Sequence, residues 1–326
     1  MTAAQPMPTT PIGSTGLKVT NLSFGTSALG SMPDTYGYAV DEERARATVH
    51  AIFDGPANML DTSRNYGIGQ SEKRVGAVIR ERGGIPEGFN LATKLDRDFE
   101  TNRLDASRAR RSLEESLETL GVDRLQILHL HDPEHCADLS EITREGGAID
   151  ELFKMKEEGL AGAVGLAMGK IDMMEPILRD WPFDCLISHN RYTLINRSAD
   201  RMFNDAHARG IAIFNAAPYA GGVLAKGSAV MPRLTYQEAS EEALAPVRQV
   251  ERVVAEHGVA PAAAALQFSM RDPRIASTII GVSSPKRIDE TLDYASRPID
   301  AAVWQALDAL SFSSKDPEAD RDYHNG

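Results

Sequence analysis

Residues 107–133 read SRARRSLEESLETLGVDRLQILHLHDP, one complete helix-to-strand unit. Leu113, Leu117 and Leu120 recur three and four residues apart while Arg110, Arg111, Glu114 and Glu118 fill the other face, so the spacing predicts an amphipathic helix over 107–120. Gly121 stands where a helix C-terminus favours a left-handed residue, and Val122 and Asp123 lead into an apolar run at 125–130. That run delivers a histidine, His131, at its end.

The same unit recurs along the chain. Short apolar runs fall at 22–25, 58–61, 90–94, 125–130, 163–166, 185–188, 211–216 and 278–281, eight in all. Amphipathic stretches at 42–53, 71–82, 107–120, 148–158, 173–179, 199–209 and 241–256 lie between them. Unbroken alternation of this kind implies a parallel sheet with helices outside, and eight units imply closure into a single (β/α)8 TIM barrel, one domain spanning 1–326. PIGSTGLKVT, at 11–20, carries a glycine-containing turn between strand-like ends and predicts an N-terminal β-hairpin that plugs one face. Residues 1–10 and 313–326 are expected to be tails without chemistry. Two connections, 131–147 and 218–237, are too long for plain barrel turns; both follow strands, which puts long loops on the C-terminal face where barrel enzymes keep their active sites.

Composition narrows the partners. Of 326 residues, 42% are apolar and 25% charged, as in packed globular proteins. Lys plus Arg is 35 against 47 for Asp plus Glu, a net charge of −12 that phosphate backbones and anionic lipid would repel, so neither nucleic acid nor membrane is expected as a partner. Two cysteines, Cys136 and Cys185, are too few for a disulfide scaffold, and no long apolar segment or leader is evident, which points to the cytoplasm.

Four polar residues stand at or just past the ends of apolar runs: Asp61 and Tyr66 in MLDTSRNYG, Lys94 in NLATK, and His131 in LQILHLHDP. Three separate strands would bring them to one end of a sheet. A tyrosine hydroxyl, with a pKa of about 10, is a poor acid or base at neutral pH, but a neighbouring ammonium favours the phenolate and lowers that value. Lys94 is the candidate ammonium, Asp61 the group that holds it charged, and His131 a hydrogen-bond donor to a substrate oxygen. Proton transfer at a carbonyl or alcohol oxygen follows. A nucleophile elbow, a P-loop and a G-x-G-x-x-G after a strand are all missing, which disfavours hydrolase and Rossmann readings. His129 shares a strand face with His131 and is expected to be a hydrogen-bonded barrel residue. A metal is not expected, because Pro133 interrupts the helix that the His131 to His135 spacing would need.

On these motifs the chain resembles the aldo-keto reductase superfamily, over about residues 17–292. LDTSRNYG matches the family's Asp-x-x-x-x-Tyr element, ATK its lysine and LHLHDP its histidine. The resemblance implies a barrel that binds a nicotinamide cofactor without a Rossmann fold, with Tyr66 as proton donor or acceptor, Lys94 and Asp61 tuning it, and His131 orienting the carbonyl. It also implies cofactor contacts: Gly25 and Thr26 in FGT, Ser188 and His189 in SHNRYTL, Pro218, Gly221 and Leu224 in AAPYAGGVLAKG, and Gly281, Ser284, Arg287 and Glu290 in IIGVSSPKRIDETL.

The chain departs from the family pattern in several places. Ala216 stands where an aromatic residue often stacks on the nicotinamide, His189 where a Gln is common, Ala167 and Met168 where a Ser-Asn pair is usual, and Thr291 where Asn is common. Gly281 and Val282 replace a Lys and a Ser that hold the 2′-phosphate of NADP in strict NADP reductases, so the resemblance implies NAD or dual use. Asp132 follows the histidine where many aldehyde-reducing relatives have Trp, and a carboxylate there suits a polyhydroxylated ligand. SRNYG, HDP and NRYTL look most like the branch containing L-fucose and D-threo-aldose 1-dehydrogenases and pyridoxal 4-dehydrogenase. That branch implies a small-molecule substrate, a sugar oxidised at carbon 1 to a lactone; Asp132, by its carboxylate, and Arg191, which could anchor a substrate oxygen or be a solvated loop arginine, are the candidate substrate contacts. The alternatives are a broad NADPH-dependent aldehyde and ketone reductase, or a cofactor-binding regulatory subunit; an oligomer is left open.

Overall fold

A computed structural model describes residues 7–319. Eight parallel strands close into a barrel: β1 Leu22–Gly25, β2 Met59–Asp61, β3 Asn90–Leu95, β4 Leu125–His131, β5 Ala161–Ala167, β6 Cys185–His189, β7 Ala212–Ala216 and β8 Ile275–Gly281. Each pairs with its sequence neighbour, and β8 closes the ring on β1 from Thr278↔Leu22 to Gly281↔Gly25. The helices that follow the strands form the outer layer: α1 Glu42–Phe53, α2 Gln70–Arg82, α3 Ala106–Leu120, α4 Ala148–Glu157, α5 Ile171–Asp180, α6 Asp200–Ala208, α7 Glu241–Glu256, α8 Pro261–Met270, α9 Pro285–Ser296 and α10 Ala301–Asp308. The (β/α)8 expectation holds.

Local chemistry sets the helix ends. The Asp105 side chain accepts from Arg108 N at the start of α3, and Gly121 at φ 73 ends it, with Ala109, Leu113 and Leu120 buried against the strands. Asp41 caps α1 in the same way. α8 escapes sequence patterning for a physical reason: PAAAALQFSM has Ala262 to Leu266, Phe268 and Ser269 buried, so no polar face marks its period.

Two apolar layers result. The larger lies between strands and helices; the smaller fills the barrel interior with residues such as Met59, Ala92, Ile127, Ala163, Cys185 and Phe214. Thr9–Pro11 pairs antiparallel with Lys18–Thr20, and this hairpin drives Ile12 and Val19 into the interior cluster from below. The plug is as expected, but the N-terminal tail is shorter than expected, because Thr9 and Thr10 are strand residues.

The C-terminal expectation needs a larger correction. Ser313 N donates to Ile195 O at 2.9 Å, Asn196 Nδ2 to Lys315 O at 2.9 Å, and Thr235 Oγ1 to Pro317 O at 3.0 Å. Residues 313–318 therefore strap the loop after β6 to the loop after β7. Residues 1–6 and 320–326 lie outside the described residues.

One buried carboxyl in this scaffold titrates near neutrality. Glu72 of α2 faces β3, where Thr93 Oγ1 donates to it at 2.5 Å, and burial pushes it up to about 7. A carboxyl raised in the folded state disfavours folding above that pH, and the penalty disappears below its unfolded value. Glu72→Gln is therefore expected to stabilise the protein by about 3 kcal/mol near pH 8, a gain that fades toward about pH 4.5 in thermal or urea unfolding. An equal effect at both pH values would contradict a titrating Glu72.

Candidate active site

The site grows from strand ends. Side chains alternate along a strand, so Met59 and Asp61, Ala92 and Lys94, and Ile127, His129 and His131 face the barrel interior, with the polar member at the C-terminal rim in each case. Past β2 the chain turns tightly, with Tyr66 N donating to Ser63 O at 3.2 Å and Ser71 N to Tyr66 O at 3.1 Å. Gly67, at φ 63, lies against the loop after β1; a Cβ there would sit 2.0 Å from Gly30 O. Only glycine permits that approach, which holds Tyr66 over the barrel mouth.

Lys94 is 2% exposed, and its Nζ lies 2.8 and 2.9 Å from the two Asp61 carboxylate oxygens, 2.7 Å from Thr62 O and 3.1 Å from Tyr66 Oη. The His131 ring stands edge-on to Tyr66 with centroids 6.0 Å apart. The four residues singled out in the sequence thus meet around one space.

The electrostatics differ from the sequence expectation. Burial raises the Tyr66 hydroxyl well above the usual phenol value, and Asp61, Tyr36, Asp132 and Asp96 add to the rise. The net shift is opposite to the sequence expectation, because burial and the carboxylates outweigh the ammonium 3.1 Å away, whose charge is paired with Asp61. Tyr66 is held as a phenol. Burial opposes charge on His131, yet Asp132 and Asp96 outweigh it and raise the imidazole. His129 is fully buried and pushed well down, first by burial and then by Lys94 and His131. Contrary to expectation, neither His129 ring nitrogen has a hydrogen-bond partner among the described residues; the ring packs edge-on to Phe214 and over Gly165.

A cavity of about 620 Å³ opens above the four residues on the C-terminal face. Asp132 lines it, as do Gly25, His189, Gly221, Gly281, Arg287 and Glu290 from the expected cofactor set. Others stand back. Thr26 is buried beneath, donating through Oγ1 to Asp61 O at 3.0 Å and so tying β1 to β2. Ser188 alternates with the lining residues Ile187 and His189 and faces the helix layer. Pro218 and Leu224 are buried behind the lining of the β7 loop, and Ser284 occupies the N-cap of α9 without a side-chain cap bond.

Arg191 is not brought to the cavity. It is 1% exposed, with Nη2 2.8 Å from Asp316 Oδ1 and Nη1 3.3 Å from Glu318 Oε2, so its charge serves the C-terminal strap.

Several lining residues went unmarked in the sequence. Tyr36 and Tyr236, edge to face with centroids 6.0 Å apart, join the loops after β1 and β7 across the cavity. Arg44 of α1 reaches Ser283 O at 2.6 Å near the start of α9. These come from loops and a helix with no strand-end signature. Asp96 was also missed, although it lies two residues beyond Lys94 and strand alternation points it to the same face.

The profile of the Aldo/keto reductase family matches residues 21–311. D-threo-aldose 1-dehydrogenase of Pseudomonas sp is 28% identical over 319 residues, covering 90% of this chain and 94% of that protein. L-galactose dehydrogenase of Arabidopsis thaliana is 31% identical, covering 86% of each chain, and pyridoxal 4-dehydrogenase of Microbacterium luteolum is 27% identical, covering 91% and 95%. Among solved structures, the holo form of aldo-keto reductase AKR11C1 from Bacillus halodurans shares the fold, with a TM-score of 0.77 and 19% identity over 97% of this chain and 100% of that one.

The buried ion pair carries a stability prediction of its own. Lys94→Met strands the Asp61 carboxylate and is expected to cost about 3–5 kcal/mol, measured by urea unfolding. Adding Asp61→Asn should restore most of that loss, since no charge is then left unpaired. If the double variant is no more stable than the single one, the pair is not what holds this rim together.

Proposed function

The chain belongs to the aldo/keto reductase family of NAD(P)-dependent oxidoreductases, and from that premise we propose that it oxidises an aldose at carbon 1 to the lactone. The observation that carries this reading is Asp132. Its carboxylate lines the cavity with Oδ2 3.5 Å from His131 Nε2, where it can accept from a ligand with several hydroxyls, while a simple apolar aldehyde has no donor to offer it. The names of the relatives, D-threo-aldose 1-dehydrogenase and L-galactose dehydrogenase, support the same substrate class.

The cavity fits a dinucleotide in its lining. It extends from the four polar residues to Ser283, Arg287 and Glu290 at the first turns of α9, and Gly281 there leaves open space where a side chain would project. The N-terminus of a helix this long favours an anionic group. A bound nicotinamide would supply the hydride acceptor. Arg287 Nη1 already lies 2.8 Å from Glu290 Oε2; a carboxylate at that end suits ribose hydroxyls better than a 2′-phosphate, so we take NAD, or dual use, as the cofactor preference.

Tyr66 handles the proton of the reacting hydroxyl, and Lys94, 3.1 Å away, donates to its oxygen as charge appears there. His131 donates to the substrate oxygen from the other side. Two free thiols, Cys136 and Cys185, agree with a cytoplasmic setting.

A second reading, reduction of simple aldehydes with NADPH, draws on one observation: Tyr66 held protonated is poised to give a proton. A panel of aldoses with NAD and NADP, and of aldehydes with the reduced cofactors, followed by nicotinamide absorbance, separates the two. Oxidation of at least one aldose is expected; reduction of simple aldehydes without any aldose oxidation would favour the second reading. Because a phenolate forms only above its raised pKa, kcat for oxidation is expected to climb through the alkaline range. Tyr66→Phe should lower kcat by about 10²–10⁴ while leaving cofactor affinity unchanged.

A further inference from the structure

The polar side chain nearest to His131 is one that no motif marks. Asp96 lies just past the end of β3 and is 1% exposed. Its Oδ1 is 2.5 Å from His131 Nδ1, and its Oδ2 accepts from Ser63 Oγ at 2.7 Å and from Asn65 N at 3.0 Å. Its own backbone is fixed as well, since Asp96 N and Ser112 Oγ are 2.9 Å apart and Arg108 Nε donates to Asp96 O at 3.2 Å. On the opposite side of the imidazole, Nε2 faces Asp132 Oδ2 at 3.5 Å.

Both ring nitrogens therefore face carboxylates. A neutral imidazole has a bare lone pair on one nitrogen, and a lone pair set against a carboxylate is repelled. A ring protonated on both nitrogens satisfies both neighbours. The 3.5 Å separation on the Asp132 side is longer than a good N–H···O bond, so that proton remains available to a ligand oxygen in the cavity.

We propose that Asp96 is a positioning residue, held by Ser63 and Asn65, that keeps a proton on each nitrogen of His131 so that the ring meets the reacting oxygen as a cation. A charged donor there stabilises a developing alkoxide more strongly than a neutral imidazole, as charge-assisted hydrogen bonds exceed neutral ones about twofold. The surrounding groups permit it. Lys94 opposes the charge, but its ammonium is paired with Asp61; His129 is kept neutral; and Tyr66, its ring perpendicular to the imidazole, is uncharged. Asp132 faces His189 and Arg97 as well as His131, and against its burial all three favour its carboxylate form, while His135, pushed down to about 4 by burial, is neutral. Against burial, His131, Ser63 and Asn65 likewise hold Asp96 below the usual carboxylate range.

The proposal rests on the reading that His131 meets the reacting oxygen, so its first test needs no substrate. In protein carrying isotope-labelled histidine, the His131 ring resonances, assigned by their loss in His131→Gln, report protonation directly. The wild-type ring is expected to be doubly protonated at neutral pH, and Asp96→Asn to move its midpoint down by about one unit or more. A raised imidazole is charged below its folded pKa and loses the charge above it, so Asp96→Asn should lose activity increasingly as pH rises. Its kcat is expected to fall about 10- to 100-fold with KM nearly unchanged. A neutral His131 in the wild-type protein at neutral pH overturns the proposal even if the variant does not fold, and so does an unmoved midpoint in Asp96→Asn. A charged ring that responds to Asp96 in a protein that oxidises no sugar upholds the proposal and removes the aldose reading instead.

Discussion

The site depends on a buried ammonium and a buried carboxylate held within 2.8 Å of each other, Lys94 and Asp61. Neither charge is tolerable alone in so dry a place, and desolvating both is repaid only by close, fully hydrogen-bonded geometry. The barrel supplies that geometry. Asp61 pairs with Ala92 in register, and Lys94, two residues further along the adjacent strand on the same inward face, reaches back to both carboxylate oxygens and to Thr62 O. The lysine's remaining reach ends at Tyr66 Oη, so the same pair that makes burial tolerable also sets the tyrosine's position.

Packing beneath makes the arrangement rigid. Below the polar rim the barrel interior is filled with small and apolar residues such as Ala92, Ala163, Cys185 and Phe214, and the hairpin residues Ile12 and Val19 seal the far end. His129 is the exception in this floor. A Cβ on Gly165 would come 2.3 Å from His129 Nδ1, so glycine on β5 is what makes room for the imidazole beneath the rim. A floor packed this closely leaves the rim side chains few alternative rotamers.

What was legible in the sequence follows from the same geometry. Strand ends announce themselves, because a period of two and a closing polar residue are local properties; hence the eight strands and the placement of Asp61, Lys94 and His131. Helix α8 was hidden because burial on every side leaves no period to read. Arg191 looks like a substrate anchor in isolation and becomes a structural residue only when Asp316 and Glu318 arrive from more than a hundred positions away. The Tyr66 hydroxyl shows the limit most clearly. Spacing identifies the lysine beside it, but the sign of the shift depends on how much of that lysine's charge Asp61 absorbs and on how deeply the phenol is buried, and neither is a local property.

Counting charges around Tyr66 explains that sign. Asp61, Asp96 and Asp132 stand against Lys94 and His131, so even with the imidazole protonated the immediate surroundings carry one negative charge in excess. A phenolate would add a second in a site with little water to screen it. The excess also accounts for the raised imidazole, since each carboxylate that disfavours the phenolate favours the imidazolium. The acid character of the rim therefore works on its two titrating rings in opposite directions, favouring the neutral tyrosine and the protonated histidine from a single distribution of carboxylates.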